Sequence, residues 1–374
     1  MRSSTRSRSQ PDDCATVAKN SQATTGLIYK ENDRMNRRSV LFLASAFSMN
    51  LLAAAPARAE TSIRFIVDWA FQGQHAMFTI PVDDGSYAKL GLNVNVDRGA
   101  GSGDTVAKVA SGAYDMGLAD IYSMVRFNSE NPGHKLIAVM MVDDKSALAV
   151  EVKASSPIKT PQDLNGKTLA APVGDATRQL FPLFAAANKI DEKSIKWINV
   201  SPELREPLLV RGEADAITGH LTTVMLNFAN IGVKTSDIRT MPYIDFGVNL
   251  LGHAVIVKPE FAERNPEAIR NFIRGSVHGF NEMIKDPDAA VGSIKKRDPL
   301  INPEIEKSRI KMSLDYRMIT DNVLKNGVSN VEAERLDSSL KDVAAAFGIK
   351  TIPAASEVYT DRYLPPRSEM RLVQ

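Results

Sequence analysis

The sequence predicts an α/β protein of two similar lobes, joined by a double crossing and followed by C-terminal helices. Three observations carry that prediction. SGAYDMGLAD (111–120) returns as VRGEADAITGH (210–220), so Gly112 and Asp115 have counterparts in Gly212 and Asp215. The stretches around both phrases share the order β-α-β-α-β, which makes the recurrence architecture rather than chance. Two similar β-rich runs, SALAVEVK (146–153) and GHAVIVKPEF (252–261), bracket the second unit. A chain that leaves one lobe, builds another and returns needs two such connections.

The first unit opens on IRFIVDWA (63–70), rich in β-branched and aromatic residues. A helical stretch follows over 75–91. LNVNV (92–96) alternates as a half-buried strand does. Residues 104–111 read as a helix with Val106, Val109 and Ala110 on one face, and 116–119 as a short strand. The second unit repeats this order. KTLAAPV (167–173) is a strand, 175–189 a helix, and SIKWINV (194–200) a strand. A helix then opens with Ser201 as N-cap and Pro202 at its first position. Pro207 is expected to kink it. AITG (216–219) closes the unit. In each recurring phrase the glycine ends a helix and the aspartate leads into the last strand. The predicted division is 60–148 plus 254–374 for lobe one and 149–253 for lobe two. Beyond the return, Asn265-Pro266 and Asn302-Pro303 start helices. The stripe Ile269, Phe272, Ile273, Phe280, Ile284 and a later one ending at Gly348 are expected to pack on lobe one.

The formal charge is +2, but nine basic against four acidic residues in 1–59 place +5 there and leave −3 for the rest. A mildly acidic folded part gives a nucleic-acid partner no electrostatic support. The segment MNRRSVLFLASAFSMNLLAAAPARAET carries Arg37 and Arg38, then an apolar run, then Ala57-Arg58-Ala59. That is the pattern of a secretory signal peptide over 35–59, cleaved after Ala59. The apolar run is short for a bilayer span. The arginine pair leaves Sec and twin-arginine export both open. Residues 1–34 are read as an upstream extension, with Met35 as the true start. The only cysteine is Cys14, so the cleaved product has no disulfide or thiolate chemistry. It is expected in the periplasm, without direct membrane insertion.

In open α/β sheets ligands bind outside the carboxyl ends of the strands, where helix N-termini point. The candidates follow. Asp68, Trp69 and His75 after the first strand could together hold a small planar polar ring: a flat apolar face, an acceptor, and a donor or acceptor. A core Trp, a helix-start Asp and a surface His are the alternative. Gly99, Gly101 and Gly103 free the backbone after the second strand, where Ser102, Gly103 and nearby amides could meet an oxyanion; a mere tight turn is the alternative. Asp120 could pair with a ligand amine or cap the next helix. Gly174, Asp175, Thr177 and Arg178 begin a helix in lobe two, with the dipole and Arg178 favouring an anion. His220 stands where Asp120 does in lobe one. No G-x-S-x-G or H-E-x-x-H occurs, and the five histidines lack metal spacing, so no catalytic or metal residue is expected.

At DW-x₅-HA, GSGDTVAKVASGAYDMGLAD and GEADAITGH the sequence resembles the periplasmic substrate-binding proteins of ABC importers. The nearest branch binds thiamine-pyrimidine precursors, alkanesulfonates, taurine or nitrate. The resemblance covers roughly 60–290 and implies a two-lobed type II periplasmic-binding fold. It also implies closure on a small-molecule ligand, docking on a permease and ATPase complex, no cofactor and no catalysis. Pyrimidine binders in that branch commonly read D-W-x-P-N-x-x-H. Asp68, Trp69 and His75 match, while Phe71 and Gln72 stand where Pro and Asn would be. Such binders also tend to carry a glutamate near Asp120. The departures leave a pyrimidine, a flavin-like heterocycle or a small acid such as a sulfonate open. The family also includes a fungal thiamine-pyrimidine synthase that relies on a cysteine-rich motif, which the cleaved chain lacks. A synthase-like enzyme is therefore the alternative to a binding protein.

Overall fold

The structure, a computed structural model, describes residues 60–373. The expected signal peptide, the upstream extension and Cys14 lie outside the described residues. Ten strands are formed: β1 (Thr61–Ile66), β2 (Leu92–Asp97), β3 (Met116–Asp120), β4 (Ile137–Met141), β5 (Leu148–Lys153), β6 (Thr168–Ala171), β7 (Lys196–Asn199), β8 (Ala216–His220), β9 (Ile238–Pro242) and β10 (His253–Val257). They make two five-stranded sheets, β2-β1-β3-β10-β4 and β7-β6-β8-β5-β9. In the first sheet β1 runs parallel to β2 and β3, and β10 antiparallel to β3 and β4. In the second β6 runs parallel to β7 and β8, and β5 antiparallel to β8 and β9.

The two sheets are therefore the same sheet built twice. Each exchanges one strand: β5 enters the second sheet before its βαβαβ unit begins, and β10 returns to the first after that unit ends. The α/β prediction holds, and the resemblance of AVEVK to AVIVK reflects the equivalence of β5 and β10. Two strands are additional to the eight expected. Leu136 to Val142 is continuously apolar, without the alternation that marks a half-buried strand. The β9 segment IRTMP is a short edge strand that ends on a proline.

The recurring phrase is a matched corner in atomic detail. Gly112 and Gly212 each end a helix, Ser102–Ser111 and Arg205–Arg211, in the left-handed region at φ 82° and 77°. Glycine adopts that conformation without the Cβ penalty. Asp115 accepts the Arg64 backbone N–H (2.8 Å) and returns its own N–H to the Arg64 carbonyl (3.0 Å). Asp215 does the same with Thr168, at 2.8 and 2.9 Å. Each aspartate thus stitches the corner to the first strand of its own unit. Lys258 and Lys153, at equivalent places at the ends of β10 and β5, lie over Gly112 and Gly212, where an ammonium favours a helix C-terminus.

The helices of the second unit break where the expected ones run on. Ser201 makes no side-chain cap; a 3-10 turn Pro202–Leu204 precedes the helix Arg205–Arg211. Pro207 falls in that helix's first turn, where its missing N–H costs nothing. Asp175 caps Ala176–Gln179 through the Arg178 N–H, and a second helix Phe181–Ala187 follows.

The C-terminal helices do not pack on the first sheet alone. Pro266–Lys285 does cover it, with Phe272 against Phe65 at 4.9 Å between ring centroids. But Pro303–Ser313 meets Leu221–Asn230 of the second half, and Ala333–Phe347 meets Phe181–Ala187 there. A long amphipathic stripe shows that a helix is buried on one face, but not which sheet it lies against.

Candidate functional site

A narrow cavity of about 370 Å³, mouth included, opens between the carboxyl ends of the two sheets. The first half contributes Asp68, Trp69, Gln74, Ser102 and Arg317, and the second Asp175, Arg205 and His220. His253, at the start of the returning strand, completes the floor. Among the described residues no cluster of three His, Cys, Asp or Glu side chains is arranged to hold a metal ion.

Asp68 is its centre. His75 accepts the Gln72 backbone N–H at Nδ1 (3.2 Å), which places its own proton on Nε2, facing Asp68 Oδ1 at 3.2 Å. His253 Nε2 lies 3.0 Å from Asp68 Oδ2, an ion-pair distance, although its N–H is not aimed squarely at that oxygen. Burial raises the Asp68 pKa, but the two histidines outweigh it and hold the carboxyl well below the usual range. Burial lowers the His253 pKa, yet Asp68 and Asp143 outweigh that and push it up to about 10. His220 stands 4.6 Å from His253 between ring centroids. Burial, reinforced by the positive His253 and Arg317, drives its pKa well below 6.5, so its ring is neutral.

The remaining cations are already paired. Arg205 is fully buried; it donates to Glu206 Oε1 (2.7 Å) and Asp175 Oδ2 (3.4 Å) and lies 5.2 Å over the Trp69 ring. Arg317 is bound to Asp143. Every arginine and charged histidine lining the cavity therefore has a carboxylate, although Arg317 and His253 share one and Arg317 keeps its Nε–H unpaired. Several buried polar atoms on residues that line the cavity, by contrast, have no hydrogen-bond partner: Gln74 Oε1, His220 Nε2, His253 Nε2 and Arg317 Nε. Buried groups of that kind ordinarily find a partner.

Of the expected residues, Asp68, Trp69, Ser102, Asp175 and His220 line this cavity, and His75 lies directly behind Asp68. The others do not. Asp120 is not among the lining residues: its Oδ1 caps Ile121–Glu130 by accepting from Tyr122 and Ser123, and burial pushes its pKa up to about 7. Arg178 points to the far side, donating to the Ala171 carbonyl (2.7 Å) with its guanidinium 4.9 Å over Trp197. Thr177 is buried beneath Tyr243, whose hydroxyl donates to its carbonyl.

The glycine-rich string forms a close crossing in place of an oxyanion site. Its three glycine amides are spent: Gly99 on the Trp69 carbonyl, Gly101 on that of Asp68, and Gly103 on that of Gly174. A Cβ on Gly101 would fall 2.3 Å from the Gly174 oxygen. Gly103 and Gly174 thus join the two halves backbone to backbone. Ser102 accepts the Asp120 N–H (3.0 Å), leaving its hydroxyl proton free.

Residues that the sequence did not single out complete the site. Gln72 Oε1 accepts from Thr223 Oγ1 of the second half at 3.0 Å. Arg309 donates to the Thr222 and Thr223 carbonyls at 3.2 and 2.9 Å. Its partner Glu306 accepts the Gly73 N–H at 2.7 Å. Gln72 and Arg309 therefore latch one half to the other. Gln72 carried a signal, since it stands where the resemblance puts Asn; Arg205, Arg309 and Arg317 carried none.

Residues 72–290 match the family model described as NMT1/THI5 like. The chain belongs to the NMT1/THI5-like family. It is 23% identical, over 74% of its length and 83% of the other's, to a formylaminopyrimidine-binding protein of Halalkalibacterium halodurans. Solved structures show the same fold at lower identity. An alkanesulfonate-binding protein of Xanthomonas axonopodis superposes with a TM-score of 0.61, at 13% identity over 82% of this chain and 99% of that one. A periplasmic nitrate-binding protein of Synechocystis superposes with a TM-score of 0.59, at 12% identity over 81% and 87%. The fold of this NMT1/THI5-like chain is thus the periplasmic-binding-protein fold, as the resemblance implied. Among the described residues no helix is long and apolar enough to cross a membrane.

Proposed function

We propose that this protein is the solute-binding component of an ABC import system. It captures a neutral aminated heteroaromatic ring, of the aminopyrimidine class, between its two sheets. It delivers that solute chemically intact to a permease and ATPase complex from the periplasm, after loss of a leader ending at Ala59. The two sheets form the cores of lobes 60–148 plus 254–374 and 149–253, which part to admit the solute and close over it.

The carrying observation is the polarity of the cavity. Its cations are paired with carboxylates, whereas Asp68 is held ionised and Gln74 Oε1, His220 Nε2 and Arg317 Nε, on residues that line the cavity, have no partner. An anion such as a sulfonate or nitrate would meet cations already neutralised by carboxylates and would lie against Asp68. A ring with an exocyclic amine beside ring nitrogens offers the donors and acceptors those atoms lack, while Trp69 supplies the apolar face. The likeness to a formylaminopyrimidine-binding protein supports the same class. Mass spectrometry of small molecules carried through a native purification tests the proposal. An amino-substituted heterocycle is expected; a co-purifying sulfonate or carboxylate with no such ring would refute it.

A further inference from the structure

The cavity floor is also where the chain crosses between the sheets. The outward crossing is 142–147, between β4 and β5, and the return is 243–252, between β9 and β10. Asp143 lies on the first and His253 immediately follows the second. Their backbones interlock: Val142 and Asp143 donate to the His253 carbonyl (2.9 and 3.1 Å), and Gly252 donates to the Asp143 carbonyl (3.0 Å). Their side chains join as well, His253 Nδ1 meeting Asp143 Oδ2 at 2.7 Å. Arg317 binds the same oxygen and stands 3.2 Å from His253 Nδ1, so two cations share one carboxylate. Arg317 sits on a π-helical turn, Leu314–Met318, and its carbonyl accepts the Lys145 N–H at 3.2 Å, again on the outward crossing. Turns of that type often mark functional positions.

We infer that His253 is a positioning residue for solute capture, holding Asp68 ionised and aimed into the cavity while fastening it, through Asp143 and Arg317, to both crossings between the sheets. The inference rests on the reading of the cavity as the solute site. His253 stands at ion-pair distance from Asp68 with Nε2 (3.0 Å) and bonds Asp143 with Nδ1 (2.7 Å). A solute that engages Asp68 therefore pulls on a chain of contacts ending at the segments about which the sheets would move. The groups facing His253 are Asp68 from the β1 end, Asp143 and Arg317 from the crossing and the π turn, and His220 from the β8 end. Asp120 faces it as its register partner on β3. The two carboxylates in contact with it, Asp68 and Asp143, outweigh burial and push the His253 pKa up to about 10. Removing the His253 charge leaves Asp68 buried beside His75 alone, and burial then favours its protonation.

The test is calorimetric binding of 4-amino-2-methylpyrimidine to the wild type and to His253→Gln between pH 5 and pH 8. Dividing the two affinities at each pH removes the probe's own titration. The variant is expected to bind about ten-fold more weakly at pH 8, with the ratio worsening about three-fold or more by pH 5 as Asp68 takes up a proton. A purely structural role would lower the melting temperature without a pH-dependent ratio, and a flat ratio would overturn the inference. Should the variant fail to fold, nitrogen-15 spectra of histidine-labelled wild type decide. Both His253 ring nitrogens should stay protonated up to pH 9, and a ring titrating near 6.5 would overturn the inference. Failure of the wild type to bind the probe counts against the solute reading instead; the ring spectra answer for His253 whichever way binding comes out.

Discussion

The two halves repeat one plan and depart from each other at two equivalent places. At the corner they agree: Gly112 and Gly212 turn alike, and Asp115 and Asp215 make the same pair of bonds. One step past the corner they diverge. Asp120 ends β3 and spends its carboxylate capping the following helix, while His220 ends β8, caps nothing and faces the cavity. On the exchanged strands Ile256 of β10 sits in an apolar cluster, whereas its counterpart Glu151 of β5 is fully buried with both carboxylate oxygens unpartnered. Gly219 leaves room for Arg205 to lie against the strand beside Glu151; an added Cβ would fall 2.6 Å from Arg205 Nη1. The lesson is that shared architecture resides in backbone-determining residues, and function in the side chains that a common backbone leaves free.

That comparison can be broken by exchanging the differing residues. The largest effect is expected from Ile256→Glu, which puts a carboxyl into an apolar cluster with no cation. Urea unfolding should show a loss of about 3–5 kcal/mol, the scale for an uncompensated buried charge or polar group. The reverse exchange, Glu151→Ile, should be nearly neutral or stabilising. Burial, only partly offset by Arg205, holds the Glu151 pKa well above 4.5, so little charge is lost, and Arg205 keeps Glu206 and Asp175. A loss above about 2 kcal/mol there would mean that Arg205 depends on Glu151.

Asp120 and His220 should tilt the pH dependence of stability in opposite directions. The folded pKa of Asp120, about 7, exceeds its unfolded value, so the folded state holds the proton more tightly. Stability then falls as pH rises from about 4 to about 7, by at most ~1.4 kcal/mol per pH unit. Asp120→Asn, which keeps a capping oxygen, should remove that slope. His220 has a lowered pKa and is folded in its neutral form, so its contribution is lost as pH falls below 6.5. His220→Gln should therefore make the protein relatively more stable in acid. Chemical denaturation at pH 4, 5.5 and 7 reads both; slopes of the same sign would undo the contrast. Smallest and equal should be Gly112→Ala and Gly212→Ala, each costing about 1 kcal/mol for a side chain in the left-handed region. A several-fold difference between them would mean that the two corners carry different loads.

The legibility of the molecule follows the same division. The corners were readable because left-handed caps demand glycine and the aspartate bonds are local to each unit. The order of elements along the chain followed from the repeat, and the pair of crossings from the similarity of β5 to β10. The edge strands β4 and β9 were not readable, since one lacks alternation and the other ends in proline. At the site, Asp68, Trp69 and Ser102 were readable from their place after strand ends. His253 and Arg317 were not: they reach Asp68 and Asp143 only after the chain has folded back across more than one hundred residues. Arg178 misled because a first-turn arginine looks alike whether it faces the cleft or stacks on Trp197 behind it.

Isothermal titration of the wild-type protein with 4-amino-2-methylpyrimidine, alongside nitrate and a short alkanesulfonate, bears most directly on the cavity between the halves. One aminopyrimidine per chain should bind, and Trp69→Ala should weaken it by about 1–3 kcal/mol, the scale of a buried aromatic contact. Tight binding of the sulfonate or nitrate with no heat from the aminopyrimidine would contradict the account.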